Sequence, residues 1–265
     1  MPQVAAAPET RNKKFENQAW ENTAFLYYQD EGSNEPHFTC TASVFATLKT
    51  NDYLLETASH CVSQVRPDPF SNDEDTLGKA LGKSIKTSDI IFGLTKPGKF
   101  FVSFSGPHNP IFDEVTVFQN SDKEKDDVAV LELHTYLKLR PIPLGDERLD
   151  DRGSSIFNVG CPGGFAKLET WGTISLLKDD TGVADDPWPG AILADLRIAP
   201  GSSGSPVFDE QQHAIIGVVV AIFLTKGFPA ISVIEPVSNL KRAIEEHYSI
   251  PVVPAVPALA GKAIL

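Results

Sequence analysis

Acyl transfer needs a hydroxyl nucleophile, an imidazole to take its proton, and a carboxylate to fix the imidazole's tautomer and stabilise its cation. This chain carries those residue types, in the order His60, Asp127, Ser203, each in a distinctive local setting. Ser203 sits in Ala199-Pro200-Gly201-Ser202-Ser203-Gly204-Ser205-Pro206-Val207-Phe208, a glycine turn that runs into an apolar strand. Such a turn exposes a hydroxyl and gathers backbone N–H groups around an incoming carbonyl. His60 closes Thr57-Ala58-Ser59-His60-Cys61 at the end of an apolar run, and Asp127 opens Asp127-Val128-Ala129-Val130-Leu131-Glu132-Leu133. Each has an ordinary explanation when taken singly. Gly/Ser clusters mark surface turns, five other histidines are present, and an aspartate after a charged loop is commonly solvated. Their joint occurrence is harder to dismiss.

The text around these residues is strand text. Short β-type runs occur at Ala24–Tyr28, Phe38–Leu48, Tyr53–Ala58, Ile90–Leu94, Phe100–Phe104, Glu114–Phe118 and Val128–Leu133. After the Pro-containing stretch Leu139–Asp146 come Ser155–Gly160, Thr170–Leu176, Ala191–Ile198, Pro206–Phe208, Ile215–Leu224 and Ala230–Ile234. Many short strands with Gly/Pro punctuation point to an all-β barrel or sandwich architecture. A short helix is expected near Leu77–Leu81. A longer one is expected over Pro236–His247, where Val237, Leu240, Ile244 and His247 fall at helical spacing. Residues 1–19 read as a loosely attached polar arm, 139–152 as a linker between halves, and 249–265 as an extended Pro-rich tail.

At these motifs the chain resembles the chymotrypsin-like (trypsin-fold) serine proteases. Thr57-Ala58-Ser59-His60-Cys61 is similar to the family's Thr-Ala-Ala-His-Cys, and Asp127-Val-Ala-Val-Leu131 to its Asp-Ile-Ala-Leu-Leu. Gly201-Ser202-Ser203-Gly204-Ser205-Pro206 is similar to its Gly-x-Ser-Gly-Gly/Ser-Pro, and Arg140-Pro-Ile-Pro-Leu144 to the segment joining its two barrels. The resemblance spans about Trp20 to Tyr248. It implies two antiparallel six-stranded β-barrels, over 20–138 and 153–234, with a C-terminal helix over 235–248. His60 and Asp127 would come from the first barrel and Ser203 from the second, with the backbone N–H groups of Gly201 and Ser203 as oxyanion hole. Asp126 is a rival acid, but the family's aspartate directly precedes the apolar strand. Ser202 and Ser205 are rival nucleophiles, but only Ser203 has glycines at both the −2 and +1 positions.

The family likeness also implies a Cys40–Cys61 bridge behind the histidine, worth about 3 kcal/mol on a chain-entropy estimate; two reduced, buried cysteines are the alternative. Cys161 reads as a small core residue. The specificity pocket would be walled by residues near Arg197, Ile198 and Ala199, by Val220, Ala221 and Ile222, and by Ala230. No acid stands in these segments, which disfavours cleavage after Lys or Arg and implies a small or medium apolar side chain before the cut. Arg197 reaching into the pocket would instead favour an acidic one. Ser202 stands where zymogens of the family carry an aspartate, and no Arg/Lys-Ile-Val-Gly-Gly activation site occurs. These departures look closer to the bacterial, HtrA-like and viral branches, although the chain ends too soon after its last helix for a PDZ domain. The expected activity is that of a serine endopeptidase acting on a polypeptide. A catalytically silent trypsin-fold binding protein and a viral or phage polyprotein-processing protease are the alternatives.

Bulk properties exclude several other classes. The chain has 265 residues, 42% of them hydrophobic and 22% charged, enough for one large domain or two small barrels. A net charge of −12 argues against nonspecific attraction to nucleic acid or an anionic membrane. The N-terminus has no apolar core of the secretory type, and no run is long enough for a spanning helix. The histidines show no metal spacing and no Cys-x-x-Cys occurs, so neither metal nor cofactor is expected. Gly78-Lys-Ala-Leu-Gly82-Lys83-Ser84 is one residue short of a phosphate-binding loop. No compartment or oligomeric state follows from the sequence; a formed bridge would favour an oxidising compartment.

Overall fold

The β-branched and aromatic runs fold into strands that close on themselves, in a computed structural model describing residues 11–63, 98–120, 126–177, 190–223 and 230–248. In the first half these are β1 (Thr23–Asp30), β2 (His37–Lys49), β3 (Asp52–Thr57), β4 (Gly98–Ser103), β5 (Asp113–Asn120) and β6 (Ala129–His134). In the second half they are β7 (Ser155–Gly160), β8 (Leu168–Leu176), β9 (Ile192–Ala194), β10 (Pro206–Asp209), β11 (Ala214–Phe223) and β12 (Ile231–Pro236). Each set forms a closed barrel, in the orders β1-β2-β3-β6-β5-β4 and β10-β11-β12-β9-β8-β7. Read from β7, the second barrel repeats the strand order of the first. Register shifts at Leu26/Tyr27, Val44/Ala46 and Val219/Ala221 bend strands where the sheets must curl to close.

Alternation along the strands sends one set of side chains into each barrel, and on some strands the other set packs between the barrels. Leu26, Val44, Leu55, Val102 and Leu131 fill the first barrel, and Ile156, Ile174, Ile192, Val207 and Ile216 the second. Phe45, Leu54, Val130, Phe157, Phe208 and Val218 belong to a further apolar cluster that draws on both barrels. This explains why β11 reads as an unbroken apolar run: its inward and outward faces are both covered. The linker is stitched to both halves. Ile142 N–H donates to Val44 O on β2, at 3.3 Å, and Gly145 N–H to Ile215 O on β11, at 2.7 Å.

The polar arm expected over 1–19 is, from Lys13 onward, a docked helix: α1 (Lys13–Asn22). Asn12 caps it by accepting from Phe15 N–H at 3.2 Å. Phe15 and Ala19, one helical turn apart, bury themselves in the cluster shared by the barrels, where Phe15 meets Phe157 and Phe208 edge-on. Burying one phenylalanine contributes about 2–3 kcal/mol, which holds a segment whose composition is otherwise polar. The second helix, α2 (Val237–Tyr248), follows β12 directly and packs Val237, Leu240 and Ile244 into the same cluster. β9 is shorter than the expected run to Ile198, because beyond Ala194 the Asp195 carboxylate bonds Thr173 N–H and Oγ1 of β8. The helix expected at Leu77–Leu81, the strand at Ile90–Leu94, the Gly78–Ser84 motif and the tail 249–265 lie outside the described residues.

Candidate active site

Pairing of β3 with β6, with Thr57 opposite Ala129, sets His60 and Asp127 beside each other just past the paired ends of their strands. The turn Ser59–Cys61 turns the histidine across to the aspartate. Asp127 then receives three bonds from it. Ser59 N–H donates to the Asp127 carbonyl at 3.2 Å, His60 N–H donates to Oδ1 at 2.9 Å, and His60 Nδ1 pairs with Oδ2 at 2.7 Å. Both carboxylate oxygens are therefore used, one on the backbone and one on the ring. The side chains are 13% and 16% exposed, sheltered enough for charge-assisted bonding yet open on one side. The rival acid has another role: Asp126 forms an ion pair with Arg242 of α2.

The serines of the glycine turn separate just as clearly. Ser202 and Ser205 are buried and committed. Ser202 Oγ accepts from Ala199 N–H at 3.3 Å within the turn, and Ser205 Oγ accepts from Asn158 Nδ2 at 2.7 Å. Ser203 alone of the three is partly exposed. Gly201 and Gly204 carry φ values of 94° and 79°, in the left-handed region that glycine adopts at least cost. At Gly204 space is decisive as well, since a Cβ there would overlap Thr41 O and Thr57 Oγ1 and lie 3.0 Å from Ala58 N. That close approach seats the residue after Ser203 on the strand end leading to His60.

Two peptide planes in the turn are fixed by their carbonyls. Pro200 O accepts from Gly163 N–H at 2.8 Å, and Ser202 O accepts from Ser205 N–H at 3.0 Å. In a trans peptide the N–H points opposite to the C=O, so the Gly201 and Ser203 N–H groups face away from those partners. Neither has an acceptor among the described residues, whereas the N–H groups of Ser202, Gly204 and Ser205 are all taken. Two unclaimed N–H groups flanking a serine are what a developing oxyanion requires.

Thr41, which the sequence reading missed, holds this turn to the first barrel. Its N–H donates to Ser203 O at 2.9 Å, its Oγ1 donates to Gly201 O at 2.9 Å, and the same oxygen accepts from Cys161 N–H at 2.9 Å. Nothing in the sequence marks Thr41, because the partners of its N–H and hydroxyl lie more than a hundred residues away. Cys40, next to it, is disulfide-bonded to Cys61 with Cα atoms 6.0 Å apart. Cys161 is a buried free thiol that burial pushes up to about 12. Of the expected pocket residues, Arg197 and Ala230 are exposed, and Ile198, Ala221 and Ile222 are half-buried. Val220 is buried in the apolar cluster of the first barrel.

Residues 40–218 match the family described as trypsin-like peptidase domain. Protease Do-like 1, chloroplastic, of Arabidopsis thaliana is 36% identical over 119 residues, covering 44% of this chain and 26% of that protein. A probable periplasmic serine endoprotease DegP-like of Bartonella henselae is 28% identical over 176 residues, covering 60% of this chain and 33% of that protein. The chain thus spans no more than a third of either relative's length. Among solved structures, a crystal structure of Deg5 aligns with a TM-score of 0.55 at 19% identity, over 91% of this chain and 95% of that one. HtrA-type protease AlgW with a decapeptide aligns at 0.60 and 17%, over 88% and 67%. These structural likenesses bear on the fold, two closed barrels with a C-terminal helix.

Proposed function

Because the chain belongs to the trypsin-like peptidase family, we propose that it is a serine endopeptidase whose site is built from Ser203, His60 and Asp127. Ser203 Oγ attacks the scissile carbonyl while His60 takes its proton. His60 then returns that proton to the leaving amine, and water repeats the cycle on the acyl-enzyme. Asp127 holds Nδ1 protonated, so that Nε2 presents its lone pair, and it stabilises the imidazolium that forms. The Gly201 and Ser203 N–H groups receive the charge on the former carbonyl oxygen. The observation that carries this reading is the 2.7 Å Asp127–His60 bond, in a protein whose serine turn leaves those two N–H groups unclaimed. The resemblance to Deg and HtrA-type proteases supports a polypeptide as substrate.

On the non-primed side, the half-buried Ala221 and Ile222 and the lack of an acid among the expected pocket residues favour a small or medium apolar side chain before the cut. The exposed Arg197 offers an acidic side chain the alternative partner. A peptide-library digest dominated by cleavage after Lys or Arg would refute both preferences. The activity itself is tested with a fluorophosphonate probe. Wild type should label at neutral pH and Ser203→Ala should not. Labelling that survives the substitution, or never appears in the wild type, defeats the assignment.

A further inference from the structure

The three residues that lead into β6 each hold a different anchor. Asp126 pairs with Arg242 of α2, and Asp127 with His60. The Val128 side chain is buried in the apolar cluster shared by the barrels, where Leu240 and Ile244 of α2 also lie. Side chains alternate in direction as a chain runs into a strand. Asp126 and Val128 both reach toward α2, and the residue between them is turned the other way, onto the histidine. We propose that Arg242 is a positioning residue for the peptidase: through Asp126 it fixes the rotation of the chain that sets the Asp127 carboxylate on His60. The inference rests on the reading of His60 and Asp127 as base and acid given above.

Arg242 is itself held. Its Nη2 donates to Asp126 Oδ2 and, at 3.0 Å, to Asn239 Oδ1 one helical turn earlier. Asn239 is buried, and its amide orientation is set by Nδ2, which donates to Glu235 Oε1 at the end of β12. Glu235 is buried too and sits opposite Val218 in the β11–β12 ladder. A line of polar contacts therefore runs from the second barrel through α2 to the residue next to the acid. α2 also packs against β5 and β6 of the first barrel, so its apolar side supplies the seat and Arg242 the reach. Asp126 and Arg242 lie 116 residues apart, so no local pattern marks the pair.

The pair is open to solvent, with Arg242 50% and Asp126 20% exposed, and an ion pair of that kind adds little to the stability of a fold. Its effect on geometry is a separate matter. Asp127 uses both carboxylate oxygens, on His60 N–H at 2.9 Å and on Nδ1 at 2.7 Å, so a small rotation at 126–127 cannot keep both bonds. The planar peptide between the two residues passes such a rotation on, and hydrogen bonds weaken steeply as they lose alignment. An acid that slips from Nδ1 no longer fixes the tautomer the base needs.

The test compares Arg242→Met, which keeps the aliphatic stem, with Asp126→Ala and the double variant, all in the full chain. One readout is the second-order rate constant of fluorophosphonate labelling. The other is the far-downfield proton resonance of the His60 Nδ1–H, followed with isotope-labelled histidine in the Ser203→Ala background. Both single variants should keep a Tm close to wild type, label about tenfold more slowly, and shift the His60 resonance upfield or broaden it by exchange. Tenfold is a small part of the ~10⁴-fold lost when a triad aspartate is neutralised. The double variant should lose no more than either single one, because Arg242 acts through Asp126. An Arg242→Met protein in which either readout is unchanged overturns the inference, and so do losses that add in the double variant or that follow a fall in Tm. If the wild type never labels, the peptidase reading fails, whereas the His60 resonance still judges Arg242: one that stays in place in Arg242→Met defeats its positioning role.

Discussion

Replacing Thr41 by valine keeps the outline of the side chain and removes one oxygen, which makes it a direct probe of how the serine turn is held. That oxygen is fully buried, donates to Gly201 O and accepts from Cys161 N–H, each at 2.9 Å. In Thr41→Val two backbone groups lose their partner where no water reaches them, at about 1–3 kcal/mol apiece, so stability should fall by about 2–6 kcal/mol. The catalytic part is separable. The Gly201 carbonyl belongs to the peptide leading into Ser202 and Ser203, and once released it lets the flanking N–H groups drift. A complete loss of one oxyanion donor costs about a hundred- to a thousandfold, and partial misplacement should cost about ten- to a hundredfold. The second-order rate constant for fluorophosphonate labelling, measured well below the melting transition, reads this without any need for the natural substrate. Thr41→Ser keeps the hydroxyl and should restore most of the rate. A folded Thr41→Val that labels within about twofold of wild type would refute the view that this oxygen positions the turn.

Three further substitutions test other parts of the fold. Asp150 is raised to about 8 by its burial and by hydrogen bonding and charge from Asp209. Its neutral form therefore stabilises the fold fully below the unfolded value of 3.8, and that contribution drains away as pH rises toward 8. Asp150→Asn should thus raise Tm at pH 8 and change it little near pH 4; an equal shift at both pH values in calorimetry contradicts a raised Asp150. Glu56, fully buried with neither carboxylate oxygen hydrogen-bonded among the described residues, is pushed well above the ordinary range by desolvation. The sign is the same, so Glu56→Gln should flatten the loss of stability on the alkaline side, read from urea midpoints in acid and alkali; an unchanged slope argues that the carboxyl finds a partner. Gly204→Ala combines a φ of 79° with overlap against Thr41 and Thr57, and should cost about 2–5 kcal/mol and abolish labelling. An alanine variant with wild-type Tm would show that the turn does not press on the first barrel as described.

The elements legible in the sequence are those whose signal is local. The strands carrying His60 and Asp127 announce themselves by apolar runs, and the Ser203 turn by its glycines, so the barrels and the candidate triad could be named before any coordinate. The α1 helix was not legible: Lys13–Asn22 has a polar composition, and its apolar stripe is little more than Phe15 and Ala19, whose burial depends on Phe157 and Phe208 far along the chain. The end of β9 was missed for a similar reason, since the bonds from Asp195 to Thr173 that take over after Ala194 join different strands. Among three serines the glycine pattern favours Ser203, and the structure buries Ser202 and Ser205 while leaving Ser203 partly exposed, a difference no local pattern in the sequence marks.

Ser202 sharpens what holds the site in order. In zymogens of the family an aspartate at this position waits for a new N-terminus to form an ion pair, and the oxyanion turn depends on that event. Here the position carries a neutral hydroxyl, buried and turned back onto Ala199 N–H within its own loop, so the turn gains nothing from an incoming ammonium. Its planes are fixed from elsewhere: Gly163 N–H holds the Pro200 carbonyl from within the second barrel, and Thr41 holds the Gly201 and Ser203 carbonyls from the first. Order in the site then follows the seating of one barrel on the other. Whatever loosens the shared apolar cluster, where Phe15 of α1, Val130 and Phe208 are buried together, should lower labelling at Ser203 before it unfolds either barrel.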